Sequence, residues 1–155
     1  MVYDNNTAGE KKQYFIQELQ EPATFTNADP AYQEMYKKFS QRILWVDESM
    51  VPGAFQMNTA WYYNVPERDP VFPEHAHEAA EIIGFLSSDR SRPYDLGGEI
   101  EFSLDGEKHL LTRSTMIFVP SGMPHCPLRI LRVERPIFHF SVVMSGMYEG
   151  ADTYK

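Results

Sequence analysis

His75 and His77 stand one residue apart in FPEHAHEAAEIIGF, and Glu81 follows four residues after the second. Residues i and i+2 of an extended segment point the same way, so the two imidazoles share one face. Glu81 comes after a small Ala-Ala turn, at the start of the next apolar run, where a hairpin-like return brings its carboxylate beside them. Far along the chain, VPSGMPHCP makes a Pro-Gly-Pro corner and then supplies His125. Three imidazoles and one carboxylate converging from neighbouring strands make a nitrogen and oxygen donor set. Such a set suits a divalent transition metal (Fe, Mn, Ni, Cu or Zn) and can leave positions open for a small molecule. Glu78 is the rival carboxylate. It lies directly beside His77 and cannot easily turn to the same ion, so Glu81 is preferred.

The segments that must position these groups are short strands. AFQMNTAWYYNV alternates, with Phe55, Met57, Thr59, Trp61, Tyr63 and Val65 on one face and Gln56, Asn58 and Asn64 on the other. Trp61 and Tyr63 are expected in the core. ILWVD, EIIGFLSS, TMIFVP, HCPLRILRV and PIFHFSVVMS read as further strands. EIEFSLDGEKHLLTR reads as a hairpin turning at Asp105-Gly106. That is seven or eight strands after residue 43 with no helix among them, which excludes parallel β/α folds and points to a sandwich or jelly-roll barrel. The polar segment 89–98 is expected to cross the mouth or edge of the barrel. Ahead of the strands, residues 1–12 read as a loose terminus and Tyr14–Leu19 as a short strand. Asp29 and Pro30 open a helix whose Tyr32, Met35, Tyr36 and Phe39 share one face.

Other residues bear on the site. His139, in IFHFSVV, is either a hydrogen-bonded core histidine or a substrate contact and general base. Arg129 faces the barrel interior by strand parity, where it could clamp a substrate carboxylate; the alternative is a surface arginine. His109 reads as surface, Glu99 and Glu101 as a solvated face. The single cysteine, Cys126, excludes an intrachain disulfide and reads as a small buried hydrophobe.

The order His-x-His-x-x-x-Glu, then a hairpin, then Pro-x-Gly-x-x-His resembles the cupins. Their first motif is written G(x)5HxH(x)3-4E(x)6G and their second G(x)5PxG(x)2H(x)3N. His75, His77 and Glu81 match the core of the first; Pro120, Gly122 and His125 match the core of the second. Asp69-Pro70 lies near the place of the first glycine, Ser114 stands for the second motif's glycine, and Arg129 stands for its asparagine. The resemblance covers roughly residues 55–143. It implies an all-β double-stranded β-helix, or jelly-roll barrel, with one metal held by His75, His77, Glu81 and His125. The expected layout is an arm and one short helix over residues 1–42, packing on the barrel or on a partner subunit, and the barrel over 43–155.

Length and charge limit the partners. A chain of 155 residues buries roughly 70% of its unfolded surface, enough for one real core. Its net charge of −8 offers no footprint for nucleic acid or an anionic membrane. No apolar run approaches a membrane span, and no secretory signal opens the sequence, so the expectation is a cytoplasmic protein. The resemblance and the aromatic arm both suggest a homodimer. The function expected is a metal-dependent enzyme on a small polar organic substrate, with a dioxygenase-type oxidoreductase placed ahead of a lyase or isomerase. A non-catalytic, metal-containing ligand-binding barrel is the alternative.

Overall fold

The computed structural model describes residues 10–146; the sequence readings for residues 1–9 and 147–155 lie outside them. A 3-10 turn over Glu10–Tyr14 and a short helix α1, Ala23–Thr26, lead to helix α2, Pro30–Phe39. Asp29 caps α2 by accepting a hydrogen bond from the Ala31 N–H at 2.8 Å, with Pro30 at the first helical position. The strand expected at Tyr14–Leu19 does not form. Its apolar side chains find no neighbouring strand, and Phe15 is left exposed.

Eight strands follow: β1 Ser40–Val46, β2 Gln56–Tyr62, β3 Glu81–Ser87, β4 Asp95–Leu104, β5 Glu107–Arg113, β6 Thr115–Val119, β7 His125–Val133 and β8 Ile137–Val143. They form two antiparallel sheets, one ordered β1-β2-β8-β3-β6 and the other β5-β4-β7. This is the all-β jelly-roll architecture that the strand pattern requires. Asp105 and Gly106 both take positive φ, 49° and 77°, as a two-residue hairpin between β4 and β5 demands. Ser40–Arg42, read with the arm from sequence, open the first strand.

One core fills the space between the sheets and continues into the arm. Phe25, Tyr32, Tyr36 and Phe39 belong to the same buried cluster as Tyr62, Phe85, Phe102, Ile130 and Ile137. The aromatic face of α2 therefore closes one flank of the barrel. Its rings meet tilted at Phe25–Tyr36, 5.1 Å, and Phe39–Tyr62, 5.6 Å, and stacked at Tyr32–Tyr36, 6.3 Å.

Strand β2 turns the other way from the sequence expectation. Gln56, Asn58, Ala60 and Tyr62 face the interior, while Met57, Thr59 and Trp61 are half-buried on the outside and Tyr63 is exposed. Alternation alone gave the apolar set to the core. The outer face of the five-stranded sheet is itself apolar, so hydrophobicity does not discriminate between the faces. Register places Phe118, Ile82, Val142 and Met57 in one row across that outer face, and Trp61 beside Phe138 in another.

Segment 89–98 is shorter as a loop than expected, because Asp95–Gly98 open β4. Strand β3 runs from Glu81 to Ser87, so the turn after it lies roughly 20 Å from Glu81, at the opposite end of the barrel. It does not cross the mouth beside the metal ligands.

Gly98 is where β4 passes close to β7. A Cβ there would sit 2.4 Å from the Arg132 carbonyl oxygen, whereas a Cβ at Gly84 would meet only the tip of the Phe140 ring. Gly98→Ala should destabilise the fold by about 1–3 kcal/mol, and Gly84→Ala by less, because a ring can swing and a backbone cannot. Urea unfolding of both variants checks the order; equal losses would refute it.

Candidate metal centre

Backbone pairing brings the two sequence motifs together. Residues 71–75 lie along β7 as a broken extra strand. The Val71 N–H donates to the Leu128 carbonyl, and the Leu128 N–H to that of Phe72. His75 and His125 then exchange backbone hydrogen bonds at 3.0 and 2.9 Å. Pro70 and Pro73 have no N–H to give, which keeps the ladder interrupted. A turn from Pro120 to Met123 precedes His125, with Gly122 at φ 76° as its third residue. The Gly122 N–H donates to the His77 carbonyl at 2.9 Å, tying the second motif's corner to the first motif's histidine.

Each imidazole is then fixed in one tautomer. The Nδ1–H of His75 donates to the Pro73 carbonyl at 2.9 Å, that of His77 to Ala79 at 2.7 Å, and that of His125 to Met123 at 3.0 Å. A carbonyl only accepts, so Nδ1 carries a proton in all three rings and Nε2 is the nitrogen left to ligate. One ligand nitrogen from each of the three rings lies within 4.8 Å of the others. Glu81, buried at the start of β3, adds its Oε2 at 3.0 Å from His77 Nε2 and 3.3 Å from His125 Nε2. His125 Nε2 is buried and makes no aligned hydrogen bond.

Three imidazole nitrogens and a carboxylate oxygen thus converge across about one ligand shell. Burial acts to raise the Glu81 pKa, but the contacts to His125 and His77 outweigh it and hold it at about 2. Burial pushes the His75 pKa down, which favours the neutral ring that a metal needs. The four residues fit a divalent ion: nitrogen and oxygen ligand atoms converge, and outer hydrogen bonds orient every ring. Glu78 is exposed and takes no part.

His139 and Arg129 fall in different places. His139 lines the same cavity, buried, with its Nδ1–H donating to the Gly84 carbonyl at 3.1 Å. Its ring stacks between Tyr62, 4.7 Å away, and Phe85, 5.2 Å away. Burial drives its pKa down to about 4, against smaller upward pulls from the Gly84 carbonyl and Glu81. Arg129 points outward, where it bonds Glu101 at 2.8 Å and Asp69 at 3.0 Å. The parity expectation for it fails at Cys126. Phe102 pairs with Leu128 and Leu104 with His125, so two steps on β4 oppose three on β7. This bulge, with Cys126 at φ 69°, flips the side chains from Leu128 to Ile130 to the opposite face, until a second shift between Ile130 and Arg132. Cys126 itself is buried, and burial pushes its thiol pKa up. His109 is exposed beside Glu107.

Sequence reasoning missed the far wall. The cavity measures about 70 Å3, and besides His75, Glu81, His125 and the His139 that the sequence offered, it is lined by Arg42, Gln56, Asn58 and Ser141. The Arg42 guanidinium is buried under the rings of Phe25, Tyr36 and Trp45, with its Nε donating to Glu21 at 2.9 Å. The inward turn of β2 and a register shift at Arg42 to Leu44 put Arg42, Gln56 and Asn58 inside. Neither leaves a mark in the sequence.

No family model matches the sequence, and no curated protein does. Solved structures do match in fold. An oxalate oxidase in complex with the substrate analogue glycolate superposes on 94% of this chain at TM-score 0.51 and 15% identity; the chain spans 65% of that protein's length. A predicted oxalate decarboxylase from Thermotoga maritima matches 67% of this chain and 76% of its own, at 17% identity and TM-score 0.45. An RmlC-like cupin from Shewanella frigidimarina matches 71% of this chain and 77% of its own, at 17% identity and TM-score 0.41. The fold is the cupin fold, as the order of the two motifs implied.

A depressed imidazole takes up its proton more readily unfolded than folded. His139 therefore contributes stability that is complete above pH 6.5 and is lost as pH falls toward about 4. His139→Phe keeps the ring stack and removes the titration. Its melting temperature should fall less than that of the parent between pH 6.5 and pH 4. Parallel melting curves would refute the assignment.

Proposed function

We propose that this cupin-fold chain is a metal-dependent enzyme acting on a small organic molecule inside the barrel, with His75, His77, Glu81 and His125 holding one divalent ion. The observation that carries the reading is the convergence of one ligand nitrogen from each of His75, His77 and His125 within 4.8 Å of one another, with Glu81 Oε2 at 3.0 Å and 3.3 Å from two of them. A nitrogen and oxygen set so placed suits a divalent transition metal. A bound ion supplies Lewis-acid or redox chemistry at a carbonyl or carboxylate. The protein holds the three rings in one tautomer, excludes bulk water with the Phe72, Ile83, Phe102 and Leu128 side chains, and leaves space beside the ligands. That space argues against an ion that only staples the core, since a structural site is closed.

Oxidation of dioxygenase type stands ahead of lyase or isomerase chemistry, because three imidazoles and one carboxylate suit Fe(II). His139 is neutral at neutral pH and lines the cavity, so it is a base and not an acid in any such step. The protein belongs in the cytoplasm on this reading, with its one cysteine free and buried. Among the described residues no helix is long and apolar enough to cross a membrane.

The same reading makes the protein a homodimer. An antiparallel sheet with one face in the core ordinarily shows water a polar face. Here Ile82, Met116 and Phe118 are exposed on the outer face of the five-stranded sheet, beside half-buried Phe138, Phe140 and Val142. A second copy packing face to face covers the whole row on both subunits by a two-fold axis.

Elemental analysis of protein purified without oxygen, chelator or an affinity metal should give about one transition-metal ion per chain. The double variant His75→Ala, His77→Ala should lose that ion and stay folded by circular dichroism. Full metal content in the double variant, or a metal-free folded parent, would sink the assignment. Light scattering of the parent should give a dimer mass, and Phe118→Asp with Ile82→Lys should give a monomer. A monomeric parent would end the dimer reading.

A further inference from the structure

Strands β5 and β6 end the two sheets on the same side of the barrel. Among the described residues β6 pairs only with β3, and β5 only with β4, so each keeps one edge unpaired. Between them runs a groove of about 290 Å3, lined by Phe102, Leu104, Leu111, Met116, Ile117 and Phe118. Leu110, Met116 and Phe118 are exposed beside it. Free strand edges next to exposed apolar side chains invite pairing, and folded proteins ordinarily cover them.

The arm carries a segment of matching character. Residues 16–20 make no backbone hydrogen bond among the described residues. Tyr14, Phe15 and Leu19 are exposed. Phe15 and Leu19 alternate with Tyr14 and Ile16, so as a strand the segment is apolar on both faces, which suits a strand covered on both sides.

Register says which copy can use it. Arg42, Ala60, His139, Phe85 and Thr115 form one row across the five-stranded sheet. Glu21 is tied to Arg42 at one end of that row. Thr115, the first residue of β6, stands at the other end, four strand spacings or roughly 19 Å away. Leu19 is two residues from Glu21, within about 7 Å of chain, so the arm cannot lie along its own β6. A two-fold axis parallel to the strands, through the apolar outer face, lays β1 of each copy over β6 of the other and keeps the rows level. Glu21 of one copy is then level with the partner's Thr115. The chain leading up to it runs antiparallel to the partner's β6, and residues 15–19 match the five residues of that strand in length. Glu18 is carried toward the partner's Arg113. Neither makes an ion pair among the described residues, and the Arg113 guanidinium lies over the Tyr94 ring.

We propose that residues 14–19 of each copy add as an antiparallel strand to the β6 edge of a second copy and cover the groove between its β5 and β6. Backbone pairing supplies the hold, and the apolar side chains supply the fit. This rests on the dimer reading above and adds to it a reciprocal exchange of arms.

Hydrogen–deuterium exchange of the full chain tests the pairing directly. In the dimer the amides of residues 15–19 should exchange at least about tenfold more slowly than in protein diluted to monomer. Neighbouring N–H groups of a strand point to opposite sides, so Ile16→Pro and Gln17→Pro between them remove one that is aimed at β6. One of the two variants should raise the dimer dissociation constant at least about tenfold. Both should leave the monomer's melting temperature unchanged, because neither N–H is bonded within its own chain among the described residues. A dimer in which residues 15–19 exchange as fast as free coil would overturn the exchange of arms and leave the face-to-face dimer standing. So would protection that persists in the monomer, or two proline variants that dimerise like the parent. A parent that is monomeric at every concentration would overturn both.

Discussion

Three backbone carbonyls decide the character of this protein. Those of Pro73, Ala79 and Met123 each take the Nδ1 proton of one histidine, and each lies two residues from the ring it holds. Bonds this local are set by the turn around each histidine. The rings cannot rotate away without losing them, so their Nε2 atoms stay gathered, those of His77 and His125 beside Glu81. Most of the surrounding architecture serves to bring these turns together. The reciprocal pair His75–His125 and the bond from Gly122 to His77 lock the two halves of the site at the backbone level.

The second organising constraint is the sheet with two apolar faces. Because its outside is greasy, the inside of β2 is free to carry Gln56 and Asn58 without the strand turning over. In a lone barrel that arrangement would be precarious, since a one-residue slip exchanges the faces at small hydrophobic cost. What holds the register here is specific: Tyr62 packs on Phe39 and stacks on His139, and Asn58 is tied to Arg42. Polar and aromatic contacts do the sorting that hydrophobicity cannot.

That explains which parts were legible in the sequence. The helix start at Asp29-Pro30, the hairpin at Asp105-Gly106 and the strand count follow from local rules. Residue type, capping and turn chemistry determine them. The ligand spacing was legible for the same reason, because His-x-His and the Pro-x-Gly corner are each a few residues long. The orientation of β2 was not, since both sets of alternating residues could be buried. Arg129 was misplaced by a single bulge at Cys126, a tertiary accommodation that no spacing records. Arg42 was invisible because its role depends on Glu21, on rings from α1 and α2, and on a shift within β1. Long-range partnerships of this kind are written in the fold alone.

The Arg42–Glu21 pair has one more implication. Glu21 comes from the stretch before α1, while Arg42 sits in the first barrel strand beneath three aromatic rings. Lifting the arm would separate a buried cation from its carboxylate and strip two of its three rings, Phe25 and Tyr36, in the same motion. Such an event is not the fraying of a terminus but the breaking of a keystone. The arm and the barrel should open and close as a single cooperative unit, with occupancy of the cavity felt as far away as the helix caps.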